Sequence, residues 1–529
     1  MSDTEFANEQ KPVWPGLLVG ACLLTGLLLR LDGIQKESLW YDELYSATQA
    51  SVALSDVYES IRLYDVHPPV YYLQLSLWEK IHSGDVWLRL NSTAWWILSA
   101  ISLYFVAKKL TSPGVALLAL ALYSVNPPGI HFGRELRMYA MLIFLAIWSF
   151  YFTERFLTST LKSDRWRYGL LTLATSVIVI YSHGAGFLIL VSMWCQACLM
   201  WGTGQTSFQS GFRFMLLQGF ALLAGIPEHA RAAALQANHG GLSYAIAPSI
   251  GELVEQSSWL FAGLGQPFGL WTPAITLGLI TAPVLTSCII KGAVQRAVLC
   301  FVLVPILAVY TISHLSGPIW VFRAISYAIP FTCLGLATGV LQISHILLHH
   351  RENWQWKRRM TTGIYVALLV SFFATAIQTQ REMLPRTSHF QSAVDYLHSE
   401  SSAGDLIVVP QKFCYWAFCW YFVGPGAVDP LHDDETLHAS TGQIVSVDSP
   451  LEHTNRSLRQ VSSGRTVWII TRGEHPTHEI IEELETDASV ELRMVQRYDK
   501  IWIWRLQPIP VDTLAVAPST LPSTYENNR

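Results

Sequence analysis

The chain has 529 residues, 51% of them hydrophobic and only 14% charged, with a mean hydropathy of +0.31 and a net charge of −4. A soluble protein would carry about 25% charged residues, so an ordinary soluble domain is excluded and a polytopic α-helical membrane protein is indicated. The slightly negative balance also argues against a nucleic-acid partner.

Residues 1–12 are polar and read as a disordered tail. The following apolar run, Pro15 to Leu31, lacks a basic leader and an A-x-A-like cleavage site, and so reads as an uncleaved first helix. In all we expect about 11 transmembrane helices, near 13–32, 86–107, 113–127, 136–153, 167–182, 184–201, 212–227, 268–290, 296–314, 319–342 and 361–379, within a membrane domain of 13–380. Its first outer loop spans 33–85. There Val70 to Ile81 is too short to cross a bilayer and reads as an interfacial amphipathic helix, its aromatics at headgroup depth. From 381 the pattern changes: a helix over 388–400 precedes buried strands at 405–410, 466–471 and 501–506. We read 381–508 as a small C-terminal extracytoplasmic α/β domain and 509–529, rich in Pro, Ser and Thr, as a disordered tail.

Lys and Arg in the short loops set the orientation. With a cytoplasmic N-terminus, the inner loops hold Lys108 and Lys109, Arg155 to Arg167, Arg213, Lys291 and Arg296, and Arg351 to Arg359. The conspicuous polar clusters then converge on the opposite face, where the C-terminal domain also lies.

Among these clusters, the adjacent carboxylates Asp42 and Glu43 follow the first span. An arbitrary acidic pair is usually solvated, yet ionisable groups at a membrane surface often mark chemistry. Asp42 suits a general base toward a hydroxyl. Glu43 could orient an acceptor or, with Asp42, supply oxygens to a divalent cation, with no full ligand set in view.

In Asp65-Val-His67-Pro-Pro69 two prolines stiffen the backbone and hold His67 where it could meet a phosphate, although a lone His is more often structural. A cationic His67 would make activity fall as pH rises through its pKa. Arg134-Glu135-Leu-Arg137-Met-Tyr139 opens the fourth span. It places two arginines on one helical face at the positive helix end, fit for an anion or for headgroup anchoring. His183, beside Gly184 and Gly186, reads as helix-junction packing. Arg323 is a second anion candidate or a snorkelling side chain. Outside the membrane, Cys414 and Cys419 suit a disulfide or two buried thiols equally.

The run SLWYDE after a first membrane helix resembles the first outer loop of GT-C glycosyltransferases. The HPP-V-YYLQLSLW stretch, the Gly84-Asp-Val-Trp-Leu-Arg89-Leu segment, RELRMYA, Tyr-Ser-His183 and Phe322-Arg323 are similar to glycosyltransferase family 39, the protein O-mannosyltransferase-like group, to which the lipid A aminoarabinose transferase is related. The resemblance covers roughly residues 15–345. Some relatives carry Lys where this chain has His67, and Arg323 is followed by Ala-Ile-Ser-Tyr where Tyr-Leu is usual.

This resemblance implies a polyprenyl-phosphate-linked sugar donor, a protein, lipid or glycan acceptor, and inverting transfer with Asp42 as the base and Glu43 beside it. It implies a donor site drawn from His67, Arg323, Arg134, Arg137, Tyr139, Glu135 and His183. The setting would be a bacterial inner membrane, with its lipids as further partners. A glycolipid flippase without bond chemistry is the alternative. Against it, no internal repeat is visible and the polar clusters share one face, where alternating access would want them at midplane. A non-catalytic receptor leaves the Asp42-Glu43 loop unexplained.

Overall fold

The computed structural model describes residues 14–35, 38–238, 247–262, 292–315, 321–347, 390–425, 465–472, 490–498 and 501–508. It also describes the strands at 436–439 and 442–445, scattered positions between 356 and 378, and residues 481, 484 and 487. By contacts the chain divides into two units, Met1–Lys36 with Gln49–Pro385, and Glu37–Thr48 with Arg386–Arg529. The segment 37–48, which the sequence reading kept in the loop 33–85, is thus grouped with the C-terminal residues.

The first unit is helical. It comprises α1 Trp14–Leu31, α3 Leu54–Tyr64, α4 Val70–Glu79, α5 Asp85–Leu110, α6 Pro113–Val125, α7 Pro127–Phe132, α8 Tyr139–Thr158, α9 Lys162–Ile180, α10 Gly186–Gly202, α11 Phe208–Asn238 and α12 Ile250–Ala262. Then come α13 Ala293–Leu315, which carries one wide π turn at Leu299–Leu303, a 3₁₀ segment Phe322–Ala328, and α14 Ile329–Leu347. The helix α2 Tyr41–Ser51 straddles the division between the units. Among the described residues, α5, α8, α11 and α13 are long and apolar enough to cross a membrane, and parts of α1, α6 and α10 form shorter apolar helices. Helices stand at the candidate spans, save that 268–290 lies outside the described residues and 361–379 is described only in part.

Local chemistry sets the helix ends near the site. Ser112 caps α6, its hydroxyl accepting from Val115 N at 3.3 Å with Pro113 next in line. Asn126 caps α7 in the same way, Oδ1 to Gly129 N at 2.7 Å, ahead of Pro127-Pro128. A side-chain oxygen at the N-cap and a proline in the first turn are the expected signals for a helix start. The α7 helix closes at Gly133, and α8 begins only at Tyr139. Arg134 and Arg137 therefore occupy a turn between two helices, and the expectation that they share one helical face does not hold.

The expected span 212–227 ends at Pro227, but α11 runs through this proline to Asn238. Proline removes an amide and loosens the carbonyls of the preceding turn. There the Tyr181 hydroxyl donates to Ala224 O at 2.7 Å, giving one of those carbonyls a partner. In α4 the two tyrosines do not face outward as an interfacial helix would place them, while Trp78 is half-buried. Tyr71 and Tyr72 are fully buried, α4 packs on α3 and α5, and Val70 N donates to Tyr181 O at 2.9 Å.

Two buried arginines hold the bundle. Arg30 of α1 sits 3.6 Å over the Trp96 ring and donates to Gly26 O, Ser124 O and Gly129 O. It thereby ties α1 to the turn between α6 and α7. Residue 133 must be glycine beside it, because a Cβ there would lie 2.5 Å from Arg30 Nε. Arg296 of α13 forms a buried ion pair with Glu154 of α8, joined by Gln196 Nε2 to Glu154 at 2.9 Å and by Arg296 to Gln205 at 2.5 Å.

The second unit holds a six-stranded mixed sheet. Its strands are β1 Asp405–Val408, β2 Thr436–Ala439, β3 Gly442–Val445, β4 Val467–Arg472, β5 Val490–Tyr498 and β6 Ile501–Pro508, in the order β2-β3-β1-β4-β6-β5. The central β1 runs parallel to β3 and β4, and the other pairs are antiparallel. Leu406, Val408, Val467, Ile469, Leu484 and Leu506 make its core. Helices α15 Phe390–Glu400 and α16 Lys412–Phe422 pack on each other.

Candidate functional site

The candidate residues fall into two constellations, one in each unit. In the second unit, Asp42 and Glu43 fill the first turn of α2, where carboxylates meet the positive end of the helix dipole. They differ in burial. Glu43 is fully buried and folds back to accept from Trp40 N at 3.2 Å, the carboxylate half of a capping box. Asp42 stays part-exposed, while its carbonyl accepts from the Ser46 hydroxyl at 3.0 Å. The structure thus gives Glu43 a bracing contact and leaves the Asp42 side chain with access to solvent.

In the first unit the polar residues gather around His67. Asp65 ends α3 and forms the turn before it: Oδ1 accepts from His67 N at 2.8 Å and Oδ2 from the Tyr72 hydroxyl at 2.5 Å. The His67 ring lies 4.9 Å from that of His183, which is 5.8 Å from the Tyr139 ring. His183 Nδ1 accepts from Ala185 N at 2.8 Å, so the proton of its neutral ring sits on Nε2. Arg137 and Arg323 act electrostatically on both imidazoles, and Arg137 also on Asp65. Five of the residues singled out in the sequence, His67, His183, Tyr139, Arg137 and Arg323, are therefore brought into one neighbourhood.

The sequence reading missed Arg231 of α11. It donates to the carbonyls of Ile61 at 3.1 Å, Arg62 at 3.3 Å, Asp65 at 2.5 Å and His67 at 3.2 Å, and it forms an ion pair with buried Glu228. A planar guanidinium with five donors can serve the orphan carbonyls at the end of α3 together with the turn beyond. The only local signal was the Glu-x-x-Arg spacing. The contact to His67 spans 164 residues.

Other expected residues point elsewhere. Arg134 donates to Asp32 O at 3.0 Å, beyond the end of α1. Glu135 faces His131 at 3.5 Å, and its carbonyl accepts from the Ser92 hydroxyl at 2.5 Å. Among the described residues no group of three or more His, Cys, Asp or Glu side chains could hold a metal ion. Cys414 and Cys419 lie five apart on α16 as buried thiols, a spacing beyond the roughly 7 Å Cα limit of a disulfide.

The cluster changes what His67 can be. Burial first, then the charges of Arg137, Arg323 and Arg231, hold its imidazole well below the ordinary range. Burial, His67 and the same first two arginines do so for His183. Both rings are then neutral at physiological pH, and His67 Nδ1 is buried with no hydrogen-bond partner among the described residues. A neutral imidazole can donate to a phosphate oxygen but adds no charge, so the alkaline loss of activity expected of a cationic His67 is not expected near neutrality.

For stability the sign is the reverse of a salt-bridged histidine. The unfolded chain binds the proton more readily, so stability from both groups is present above about pH 6.5 and falls as pH drops below it. NMR of ¹³C-histidine-labelled protein should show both rings neutral at pH 6.5, with upward shifts in Arg137→Gln. A His67 signal titrating at or above about 6.5 would contradict this environment.

Residues 66–228 match the family model described as dolichyl-phosphate-mannose-protein mannosyltransferase. No curated protein matches the sequence. Among solved structures, ArnT from Cupriavidus metallidurans in the apo state is 13% identical, with 93% of this chain and 97% of that one covered at a TM-score of 0.58. The same protein bound to undecaprenyl phosphate is also 13% identical, covering 93% and 98% at 0.56. The Archaeoglobus fulgidus oligosaccharyltransferase in its apo form is 10% identical, covering 88% and 70% at 0.51. With the apolar helices and the mixed sheet, these likenesses show a GT-C glycosyltransferase fold, and the segment 66–228 is similar to the protein mannosyltransferase family model.

Proposed function

We propose that the chain is an inverting glycosyltransferase of a bacterial cytoplasmic membrane, moving a sugar from a polyprenyl-phosphate donor to an acceptor hydroxyl on the outer face. In this reading the N-terminus is cytoplasmic, 13–380 is the membrane domain and 381–508 lies outside. The observation that carries it is the gathering of Arg137, Arg231 and Arg323 with two neutral imidazoles in one place of a GT-C fold. So much positive charge beside Asp65 and Glu228 suits a phosphate, and ArnT of the same fold has been solved with undecaprenyl phosphate bound.

The chemistry asks little of an acid. Asp42 takes the proton of the acceptor hydroxyl, and its oxygen attacks the anomeric carbon from the side opposite the phosphate. The bond from that carbon to the phosphate oxygen breaks, and its electron pair leaves with the lipid phosphate. The phosphate is already a good leaving group, so what is needed is positive charge where negative charge develops. Arg137 and Arg323 supply it, His67 and His183 donate hydrogen bonds, and Arg231 holds the His67 turn.

Arg323→Ala should therefore lower kcat/KM by about 10- to 150-fold at every pH, the worth of a charge-assisted contact of about 1.5–3 kcal/mol. Kinetics with a synthetic polyprenyl-phosphate sugar between pH 6 and 9 check this. An unchanged rate, or a loss confined to one end of the pH range, would remove Arg323 from the phosphate site.

A further inference from the structure

We infer that α16 of the second unit positions the carboxylate-bearing turn of α2, with Trp416 and Tyr421 as the positioning residues. The inference rests on the proposed role of Asp42 as the base, and its own content is how that carboxylate is held in place.

Two contacts bracket the turn. Ahead of α2, the backbone amide of Leu39 donates to the Tyr421 hydroxyl oxygen at 2.6 Å, and Leu39 is itself fully buried. One turn into α2, the Tyr45 ring stacks on Trp416 at 5.6 Å with planes 28° apart. Trp416 is itself buried, 8% exposed. Between these points lie Trp40, Asp42 and Glu43, and the contact of Glu43 with the Trp40 amide closes the same turn from within. Asp42 is thus borne on a helix turn pinned before and after it.

The composition of α16, Lys-Phe-Cys-Tyr-Trp-Ala-Phe-Cys-Trp-Tyr-Phe, has this consequence built in. Aromatic residues are indifferent helix formers, and so many in one short helix reflect what the helix must pack against. Phe418 and Phe422 stack on each other at 5.0 Å, and Phe422 stacks on His398 of α15. One side of α16 is thereby anchored to its own unit, while Trp416 and Tyr421 reach the segment 37–48, which groups with that unit by contacts. The C-terminal unit is then a support for the reacting carboxylate as well as any acceptor-binding module it provides. General-base catalysis is sensitive to this kind of support, since displacement of a catalytic group by about 1 Å costs on the order of 100-fold.

The test compares Trp416→Ala, Trp416→Phe and Tyr421→Phe in the purified full-length protein. Trp416→Ala should lower kcat by about 10- to 100-fold with KM for the polyprenyl-phosphate sugar unchanged, and Trp416→Phe, which keeps a ring against Tyr45, should recover most of it. Hydrogen exchange of the peptide 38–46 should speed up in Trp416→Ala and in Tyr421→Phe, and stay near wild type in Trp416→Phe. Tyr421→Phe removes one oxygen and serves if the alanine variant does not fold. Wild-type kcat in Trp416→Ala, or unchanged exchange at 38–46 in both Trp416→Ala and Tyr421→Phe, would overturn the inference. If the wild-type chain transfers no sugar at all, the proposed function fails, and the exchange measurement alone still decides the positioning claim.

Discussion

Replacing Asp42 by Asn should lower turnover by about 10²- to 10⁴-fold, roughly 3–5 kcal/mol in barrier, with folding and donor affinity retained. Asn keeps the size and hydrogen-bonding reach of the side chain but cannot accept the proton of an attacking hydroxyl. The structure makes the comparison clean. Asp42 is part-exposed in the first turn of α2, and its backbone carbonyl, which the substitution leaves alone, accepts from the Ser46 hydroxyl. Glu43, by contrast, is fully buried and bonded to Trp40 N, so Glu43→Gln should act mainly through the geometry of the turn. Turnover of Asp42→Asn near that of wild type, at equal donor occupancy, would end the assignment of Asp42 as base.

The second large effect is on stability and lies away from the site. Glu154→Ala should cost about 3–5 kcal/mol, because it strands the Arg296 guanidinium in a buried environment with its main counter-charge gone. Gln205 would still accept from Arg296, and Gln196 would lose its acceptor on Glu154. Replacing both ion partners by apolar residues, as in Glu154→Leu with Arg296→Met, should be far less damaging than either alanine change alone, since no buried charge then remains. Thermal unfolding in detergent measures the three variants side by side. Equal losses in the single and double variants would mean that the pair is not coupled.

How much of this was legible from residue order follows the range of each interaction. Spans could be read because hydropathy is local, whereas the short helix that starts at Asn126-Pro-Pro stands where the sequence suggested a loop. The strands at 405–408, 467–472 and 501–508 stand where short apolar β-branched and aromatic runs put them. Where two local rules competed, reading failed. Pro227 suggested a helix end, yet packing from Tyr181 lets α11 continue. The Arg134 to Tyr139 run suggested a helix start, yet Gly133 and the following turn delay α8 to Tyr139.

Long-range partners were out of reach. Nothing near His67 announces Arg231, and nothing near Asp42 announces Trp416 or Tyr421. The protonation state of His67 belongs to the same class, since it is set by burial and by arginines from three other elements. A motif can name a residue type, but its charge depends on neighbours that only the fold supplies.

The most direct measurement of the central claim uses purified chain in vesicles, a polyprenyl-phosphate sugar labelled in the sugar, and an envelope fraction as acceptor source. Mass spectrometry then follows where the label goes. Label should leave the lipid phosphate, appear in glycosidic linkage on an acceptor with inverted anomeric configuration, and do neither with Asp42→Asn. Label that crosses between leaflets while remaining on its lipid, equally in wild type and Asp42→Asn, would contradict this and make the chain a flippase.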